Sequence, residues 1–416
     1  MRTQQVKRAF RYRFHPTEEQ AAELSRTFGC VRRVYNMALQ TRREAWAVRG
    51  ERVTCQETSA LLTAWKKTEE YAYLRAVSSV PLQQSLRHLQ AAFSAFFSGH
   101  SRHPRFKSRK RSKRSAEYTA SGFRYCDGRL RLAKMSEPLD IVWSRPLPPG
   151  VSPTTVTVTQ DRSGRWFVSL LMTDEVAALP PVASAVGVDA GIHSLVALSS
   201  GEKVPNPRFG KNAQARLARA QRSVSRKQPG SRNHDKARAK AARIHARIAD
   251  RRNDFLHKLS TRLVRENQTI VIEDLAVRNM LRNPRLAGAI SDASWGRLRF
   301  MLTYKSHWYG RELIVIDRFC PTSKTCSHCG HLVADLPLRI RNWVCPACGA
   351  HHDRDVNAAR TTLAAGLAVS ACGADVGPER RLSGRAVGVE AGKPGRSAGR
   401  RRGVRASPPA GTSDAN

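Results

Sequence analysis

Cys326, Cys329, Cys345 and Cys348 constrain this chain more than any other feature. They read Cys-x2-Cys, fifteen intervening residues, Cys-x2-Cys, with Gly330 and Gly349 directly after the two pairs. Four soft thiolates at that spacing suit a tetrahedral Zn2+ held between two tight knuckles. A closed four-thiolate set leaves no open coordination position, so such a zinc is structural. Directly downstream lies the run His352-Asp353-Arg354-Asp355-Val356-Asn357-Ala358-Ala359, read as the entry to a helix from about Asp355 to Leu367. The predicted ribbon, residues 320–350, thus ends where a carboxylate enters a helix. The other five cysteines (Cys30, Cys55, Cys126, Cys320 and Cys372) are scattered, which fits a reducing cytosol and not a disulfide framework.

Charge narrows the partner. The 416 residues carry 72 Lys plus Arg against 33 Asp plus Glu, a net +39. Such a charge opposes compaction unless a polyanion neutralises it, and nucleic acid is the natural polyanion. The basic residues are concentrated in two stretches. Residues 100–115 hold eight Lys or Arg around Phe106, and residues 208–268 hold 18 against four acids. Neither stretch can pair its charge internally, so both are expected to contact phosphates, which positions a duplex without reading its bases. No apolar run reaches the roughly 18 residues of a membrane span, and no apolar segment follows the basic N-terminus, so neither a span nor a secretory signal is expected.

Periodicity divides the chain. Phe10, Tyr12 and Phe14 alternate with Arg11 and Arg13, a half-buried strand over 6–14. Thr17-Glu18-Glu19-Gln20 is a capping box, followed by a helix to Gly29 and a second helix carrying Val31, Val34, Tyr35, Ala38 and Leu39. Further helices are predicted near 56–67 and 81–98. After residue 115 the period becomes two, with an Asp127-Gly128 hairpin turn and strands at 155–159 and 166–172 joined near Ser163-Gly164. This order predicts a small β-barrel (1–15 with 116–181) interrupted by a helical module (16–115). From Pro180-Pro181 come a buried strand ending Val188-Asp189-Ala190-Gly191, a meander, a basic helical hairpin broken at Gln228-Pro229-Gly230, and two more buried strands ending in Glu273 and Asp317. Beyond residue 371 the chain is rich in Gly, Ala, Pro, Ser and Arg, and a disordered basic tail is expected over 372–416.

Strand, hairpin, strand, long connection, strand and helix, with acids at separated points, is the pattern of an RNase H-type nuclease core, here 182–319 with 351–371. Paired divalent cations about 4 Å apart need carboxylates converging from distant parts of a chain, and Mg2+ prefers hard oxygen ligands. The candidates are Asp189, Glu273 and Asp355, separated by 84 and then 82 residues. Asp274 should point away from Glu273 and is read as a helix cap. Asp317 is read as structural, and Asp353 as the cap of the last helix.

These stretches resemble a known family. Arg11-Tyr12-Arg13-Phe14-His15-Pro16-Thr17 with Asn36, Pro104-Arg105-Phe106-Lys107-Ser108, Gly187-Val188-Asp189-Ala190-Gly191 and Ile272-Glu273-Asp274-Leu275 match it. So do Trp308-Tyr309-Gly310-Arg311, Asp317-Arg318 through Ser323-Lys324-Thr325-Cys326, and Asp353-Arg354-Asp355-Val356-Asn357-Ala358-Ala359. From about Lys7 to Val369 the chain is similar to TnpB, the OrfB-type protein of insertion sequences and relative of the type V CRISPR effectors. The resemblance implies an α+β and α/β multidomain protein with a wedge-like barrel and a RuvC-like core carrying the zinc ribbon. It further implies an RNA-guided DNA endonuclease whose guide RNA derives from the transposon end. That RNA pairs with double-stranded target DNA, while the protein reads a short flanking motif. The family's RuvC acids fall on Asp189, Glu273 and Asp355, with Mg2+, or Mn2+ in its place. A bacterial cytoplasmic, nucleoid-associated location is expected. Two other functions compete: a guided DNA-binding regulator that does not cut, and a transposase using the same carboxylate chemistry. The presence of all three acids speaks against the first. The second lacks an evident inverted-repeat-binding module and a His-hydrophobic-His motif.

Overall fold

The computed structural model describes residues 3–371, and the expectation for the tail lies outside the described residues. The protein is a mixed α/β assembly built on two five-stranded sheets. The first sheet draws on both ends of an interrupted segment. Strand β1 (Thr3–His15) is followed by helices α1 (Glu18–Arg49), α2 (Cys55–Lys67) and α3 (Ser79–Phe97). Strands β2 (Arg114–Thr119), β3 (Phe123–Cys126), β4 (Arg129–Leu132), β5 (Asp140–Val142), β6 (Thr155–Gln160) and β7 (Trp166–Ala177) come next. As the alternation predicts, Phe10, Tyr12 and Phe14 are buried, and β1 pairs antiparallel with β7 from Thr3 to Phe14.

The order β2-β6-β7-β1-β5 runs in a line, and among the described residues its ends do not pair with each other. The expected small barrel is thus not closed by pairing of its end strands, and its main sheet is open. Strand β5 is only three residues long and is held at the end of β1 alone. The β3–β4 hairpin, a separate two-stranded unit, adds Leu130 and Leu132 to the same core as Phe14, Tyr118 and Val168. Its turn places Asp127 and Gly128 at φ 50° and 74°, the doubly left-handed geometry that an Asp-Gly pair favours.

A second difference concerns α1. Its capping box at Thr17 and Gln20 forms as expected, but the helix does not end at Gly29. It runs unbroken to Gly50, at φ 64°. Phe28, Val31, Val34, Tyr35 and Leu39 are buried on it without a break. That continuous burial outweighs the roughly 1 kcal/mol cost of one interior glycine.

The second sheet is built from β8 (Ala185–Ala190), β9 (Ser194–Leu198), β10 (Lys203–Pro205), β11 (Thr269–Glu273) and β12 (Glu312–Ile316). Its order is β10-β9-β8-β11-β12, with β8, β11 and β12 parallel, β9 antiparallel to β8, and β10 antiparallel to β9. Helices α4 (Phe209–Ser225) and α5 (Arg232–Glu266) form the basic hairpin, turning at Gly230 with φ 92°. Helices α6 (Val277–Met280), α7 (Ala287–Ala293) and α8 (Trp295–Tyr309) lie between β11 and β12. The short strands β13 (Asn342–Val344) and β14 (His351–Asp353) pair next to the cysteines, and α9 (Arg354–Ala371) closes the described chain.

Strand β11 shows why its sequence is apolar throughout. Ile270 and Ile272 pack with Leu259, Leu263, Leu298 and Met301 of α5 and α8, whereas Val271 packs with Leu363 of α9. The parallel part of the sheet is covered on both faces, and its strands must be hydrophobic on both.

Candidate active site and metal centre

Asp189 and Glu273 stand at the C-terminal ends of the neighbouring parallel strands β8 and β11. Asp355 lies in the first turn of α9. What brings the helix to the strands is a pair of glycines. A Cβ on Gly187 would sit 2.1 Å from the Ala359 carbonyl oxygen and 2.8 Å from the Leu363 amide. One on Gly366 would sit 2.4 Å from a Val271 methyl carbon. Only bare backbone on β8 lets α9 lie this close, so Gly187 and Asp189 act together in the same Val-Gly-Val-Asp segment. The carboxyl of Asp189 is pushed up to about 7 by burial, then by the charges of Glu273 and Asp355. Glu273 and Asp355 therefore lie near enough to Asp189 for their charges to act on it. The three acids are not drawn into the tight grouping seen for the thiols: among the described residues, only the four cysteines bring three or more Cys, His, Asp or Glu ligand atoms within 4.8 Å of one another.

Two of the three acids are held by a neighbour's side chain. Thr322 Oγ1 donates to Glu273 Oε1 at 2.6 Å. Arg341 Nη1 lies 3.2 Å from Asp355 Oδ1. The Asp-Arg-Asp run divides its work. Asp353 Oδ1 accepts from the Asp355 and Val356 amides at 3.1 Å, capping α9 as expected, and its Oδ2 pairs with Lys203 at 2.5 Å. Buried Arg354 turns to the cysteine segment and donates to the Pro337 carbonyl at 2.7 Å. Asp317 accepts from the Phe319 amide at 2.7 Å, a structural turn as expected. Asp274 differs from its reading. It caps no helix, and the N-terminus of α6 has no side-chain cap. Its two carboxylate oxygens bind Arg299 and Arg318 instead. Basic residues on both sides of the strand end outcompete a four-residue helix for that charge.

The four cysteines form two matching knuckles. Gly330 N–H donates to Cys326 O, and Gly349 N–H to Cys345 O, both at 2.9 Å. The two glycines adopt φ 77° and 70°, the conformation their sequence position predicts. Cys329 and Cys345 sulfurs lie 3.6 Å apart, and those of Cys326 and Cys348 3.8 Å apart. A tetrahedral site with metal–sulfur bonds of about 2.3 Å needs sulfurs about 3.8 Å apart, so the donors fit a metal ion without rearrangement. The buried ring of His352 places Nε2 3.0 Å from Cys326 Sγ, an outer contact of the kind that orients a ligating sulfur.

The joint between the two centres has no local signal in the sequence. Asn357, 1% exposed, accepts from the Ser327 amide at 2.9 Å and donates to the Thr325 carbonyl at 2.7 Å. It grips the backbone on both sides of Cys326 from the helix that carries Asp355. Its position in the Asp355-Val356-Asn357 run was visible, but its partners lie about 30 residues away in the ribbon.

Comparison with known proteins places this arrangement. The chain is 65% identical over 380 residues to a "Putative RNA-guided DNA endonuclease" of Streptomyces pristinaespiralis, covering 91% of this chain and 94% of that one. It is 35% identical over 395 residues to InsQ of Escherichia coli K12, which carries the same description, covering 88% and 94%. The OrfB_IS605 family, described as "Probable transposase", matches residues 157–284. The chain belongs to the TnpB (OrfB_IS605) family. A Cas12f1-like TNB domain matches residues 295–362, which include the cysteine segment. A family described as a helix-turn-helix domain matches residues 1–51 of this TnpB chain, where the structure has β1 and one unbroken helix. In fold, the chain resembles Cas12f1 as solved in a Cas12f1–sgRNA–target DNA complex, with TM-score 0.52, 14% identity and 83% of each chain covered.

Among the described residues no helix is long and apolar enough to cross a membrane. The α4–α5 hairpin buries Ala213, Ala220, Ala241, Ile244 and Ile248 between its helices. That leaves Arg216, Arg219, Arg222, Lys240, Arg243 and Arg247 exposed around shallow grooves.

Proposed function

We propose that this TnpB-family chain is an RNA-guided DNA endonuclease with one RuvC-like site, in which Asp189, Glu273 and Asp355 hold paired Mg2+ ions. The observation that carries the reading is the meeting of two neighbouring strand ends and the first turn of α9, where burial first, and then the charges of Glu273 and Asp355, 84 and 166 residues away in sequence, raise Asp189 to about 7. Three acids near a half-buried strand end, with Arg341 as the one cation among the described residues paired to them, are a donor set short of counter-charge, and hard divalent cations supply that charge. When bound, such ions generate an attacking hydroxide and stabilise the leaving oxygen of the scissile phosphate. The residues of this chain do the rest. Asp189 and Glu273 present oxygens from adjacent strands, Thr322 fixes the rotation of Glu273, and Asp355 approaches from α9.

In this reading the ribbon holds Zn2+ through Cys326, Cys329, Cys345 and Cys348 and has a structural role. The exposed arginines of α4 and α5, with the basic segment 100–115, hold the phosphates of a guide RNA and of double-stranded target DNA. The guide comes from the transposon end, and the open sheet with its helical insertion reads a short flanking DNA motif. The protein works in the bacterial cytoplasm, at the nucleoid.

The test is cleavage of a matched plasmid by the ribonucleoprotein in Mg2+, beside Asp189→Ala. Wild-type cutting with loss of cutting but retained guided binding in the variant supports the reading. Guided binding without any cutting by the wild type would make the protein a regulator, and strand-joined products would make it a transposase.

A further inference from the structure

Beside Glu273 the fold leaves a cavity of about 680 Å3. Protein interiors are normally packed to crystal density, and an opening of this size is in the range of ligand pockets. Its floor is apolar: Val188, Ala190 and Ile272 from the sheet and Leu298 and Leu302 from α8. Its rim is cationic, formed by Arg278, Arg299 and Arg318. Asp274 holds the last two of these arginines in place from the residue after Glu273.

Trp295 lines the same cavity. It is 5% exposed, and its indole Nε1 is buried without an acceptor. A buried donor left unpaired is costly, so a ligand that brings an acceptor to it is favoured. Trp295 opens α8 directly after Ser294, which sits at φ 57° and ψ 40°, a left-handed conformation unusual for a residue with a side chain. Strain of this kind persists where the surrounding structure requires it.

Apolar walls, a ring N–H seeking an acceptor and a fixed arginine rim match the parts of one nucleotide. The base supplies a planar face and carbonyl or ring-nitrogen acceptors, and the phosphate supplies the anion. We propose that this cavity takes the unstacked base of a nucleotide flanking the scissile phosphate, with Trp295 as its hydrogen-bond donor and wall. The proposal rests on the endonuclease reading, because the cavity borders Glu273. Seating one base there would draw the adjoining phosphodiester toward the three carboxylates and keep the strand from sliding.

The experiment uses the ribonucleoprotein with the guide it carries. Cut positions are mapped first on matched DNA. Single-turnover cleavage is then measured on duplexes with an abasic site at each nucleotide bordering the cut. Loss of a base from the pocket should slow cutting roughly ten-fold at one such position, with guided binding unchanged. Trp295→Phe should slow cutting of intact DNA several-fold and add nothing on the abasic duplex that is already slow. A merely structural role for Trp295 would slow both alike. If the wild type cuts every abasic duplex at the intact rate, the pocket proposal is overturned and the endonuclease reading stands. If the wild type cuts nothing, both fall together.

Discussion

The thiols and the carboxylates differ first in reach. Cys326 and Cys348 enclose their centre within one short ribbon, whose two knuckles repeat the same backbone hydrogen bond. Asp189, Glu273 and Asp355 sit on two strands and a helix, and nothing near any of them in sequence indicates the others. The ribbon holds its ligands by local turns. The acids are held by packing, above all by α9 pressed against the bare backbone of Gly187. One centre should therefore fail when its own ligands change. The other should also fail when residues that touch no metal change.

The largest effect tests the acids directly. Asp189→Ala should lower the cleavage rate by about a thousand-fold, or about 4 kcal/mol of transition-state stabilisation, with target binding kept. A variant that cuts at the wild-type rate would remove Asp189 from the site. Next comes the ribbon. If the four thiols hold zinc as proposed, Cys326→Ser should reduce zinc content to near zero and expose the ribbon amides to hydrogen exchange. The first sheet should keep its protection. Normal zinc in that variant would refute the four-thiolate assignment.

Gly187→Ala breaks the comparison in its most informative place. The new methyl group would collide with the backbone of Ala359 and Leu363, which cannot swing aside as a side-chain tip can. A loss of about 3 kcal/mol is expected, read by denaturant unfolding, together with loss of cleavage and unchanged zinc. If zinc and cleavage fall in step, the two centres are one unit and do not differ in how they are held.

How much of this was legible follows the same division. The knuckle glycines, the Thr17–Gln20 box and the Asp127-Gly128 turn are governed by neighbours within a few residues, and each forms as its sequence predicts. The strand ends bearing Asp189 and Glu273 were visible from apolar runs. Gly29 misled, because burial of the α1 stripe on a distant surface decides whether a helix passes through a glycine. The barrel misled because alternation shows which face of a strand is buried but not whether the last strand meets the first. Asp274 misled because its partners, Arg299 and Arg318, lie 25 and 44 residues away. The closeness of Gly187 to α9 had no local signal at all.

Asn357 links the two kinds of centre, and its removal should have a graded effect. Asn357→Ala leaves the Ser327 amide without its partner and the Thr325 carbonyl with only the longer bond from Thr361 Oγ1, a loss of about 1–3 kcal/mol in the docking of ribbon to helix. Zinc should remain, since all four thiols are intact, while cleavage falls several-fold as Asp355 loses its reference to the ribbon. Full activity in this variant would mean that α9 is placed by the sheet alone.

The last effect is one of charge, and it separates a site waiting for a cation from one already neutral. Burial first, then Glu273 and Asp355, raise Asp189 to about 7 in the folded protein, against about 4 when unfolded. Between those values the folded state binds a proton that the unfolded state has lost, so the stability tied to this group is present below about pH 4 and declines as pH rises to about 7. In Mg2+-free buffer with zinc retained, the wild-type melting temperature should therefore fall across that window relative to Asp189→Asn, whose amide does not titrate. Adding Mg2+ above pH 7 should stabilise the wild type selectively, because a cation bound only to the folded state raises its stability. Parallel pH curves for the two proteins would show that the carboxylates do not press on one another, and the three acids would lose their claim to a common site.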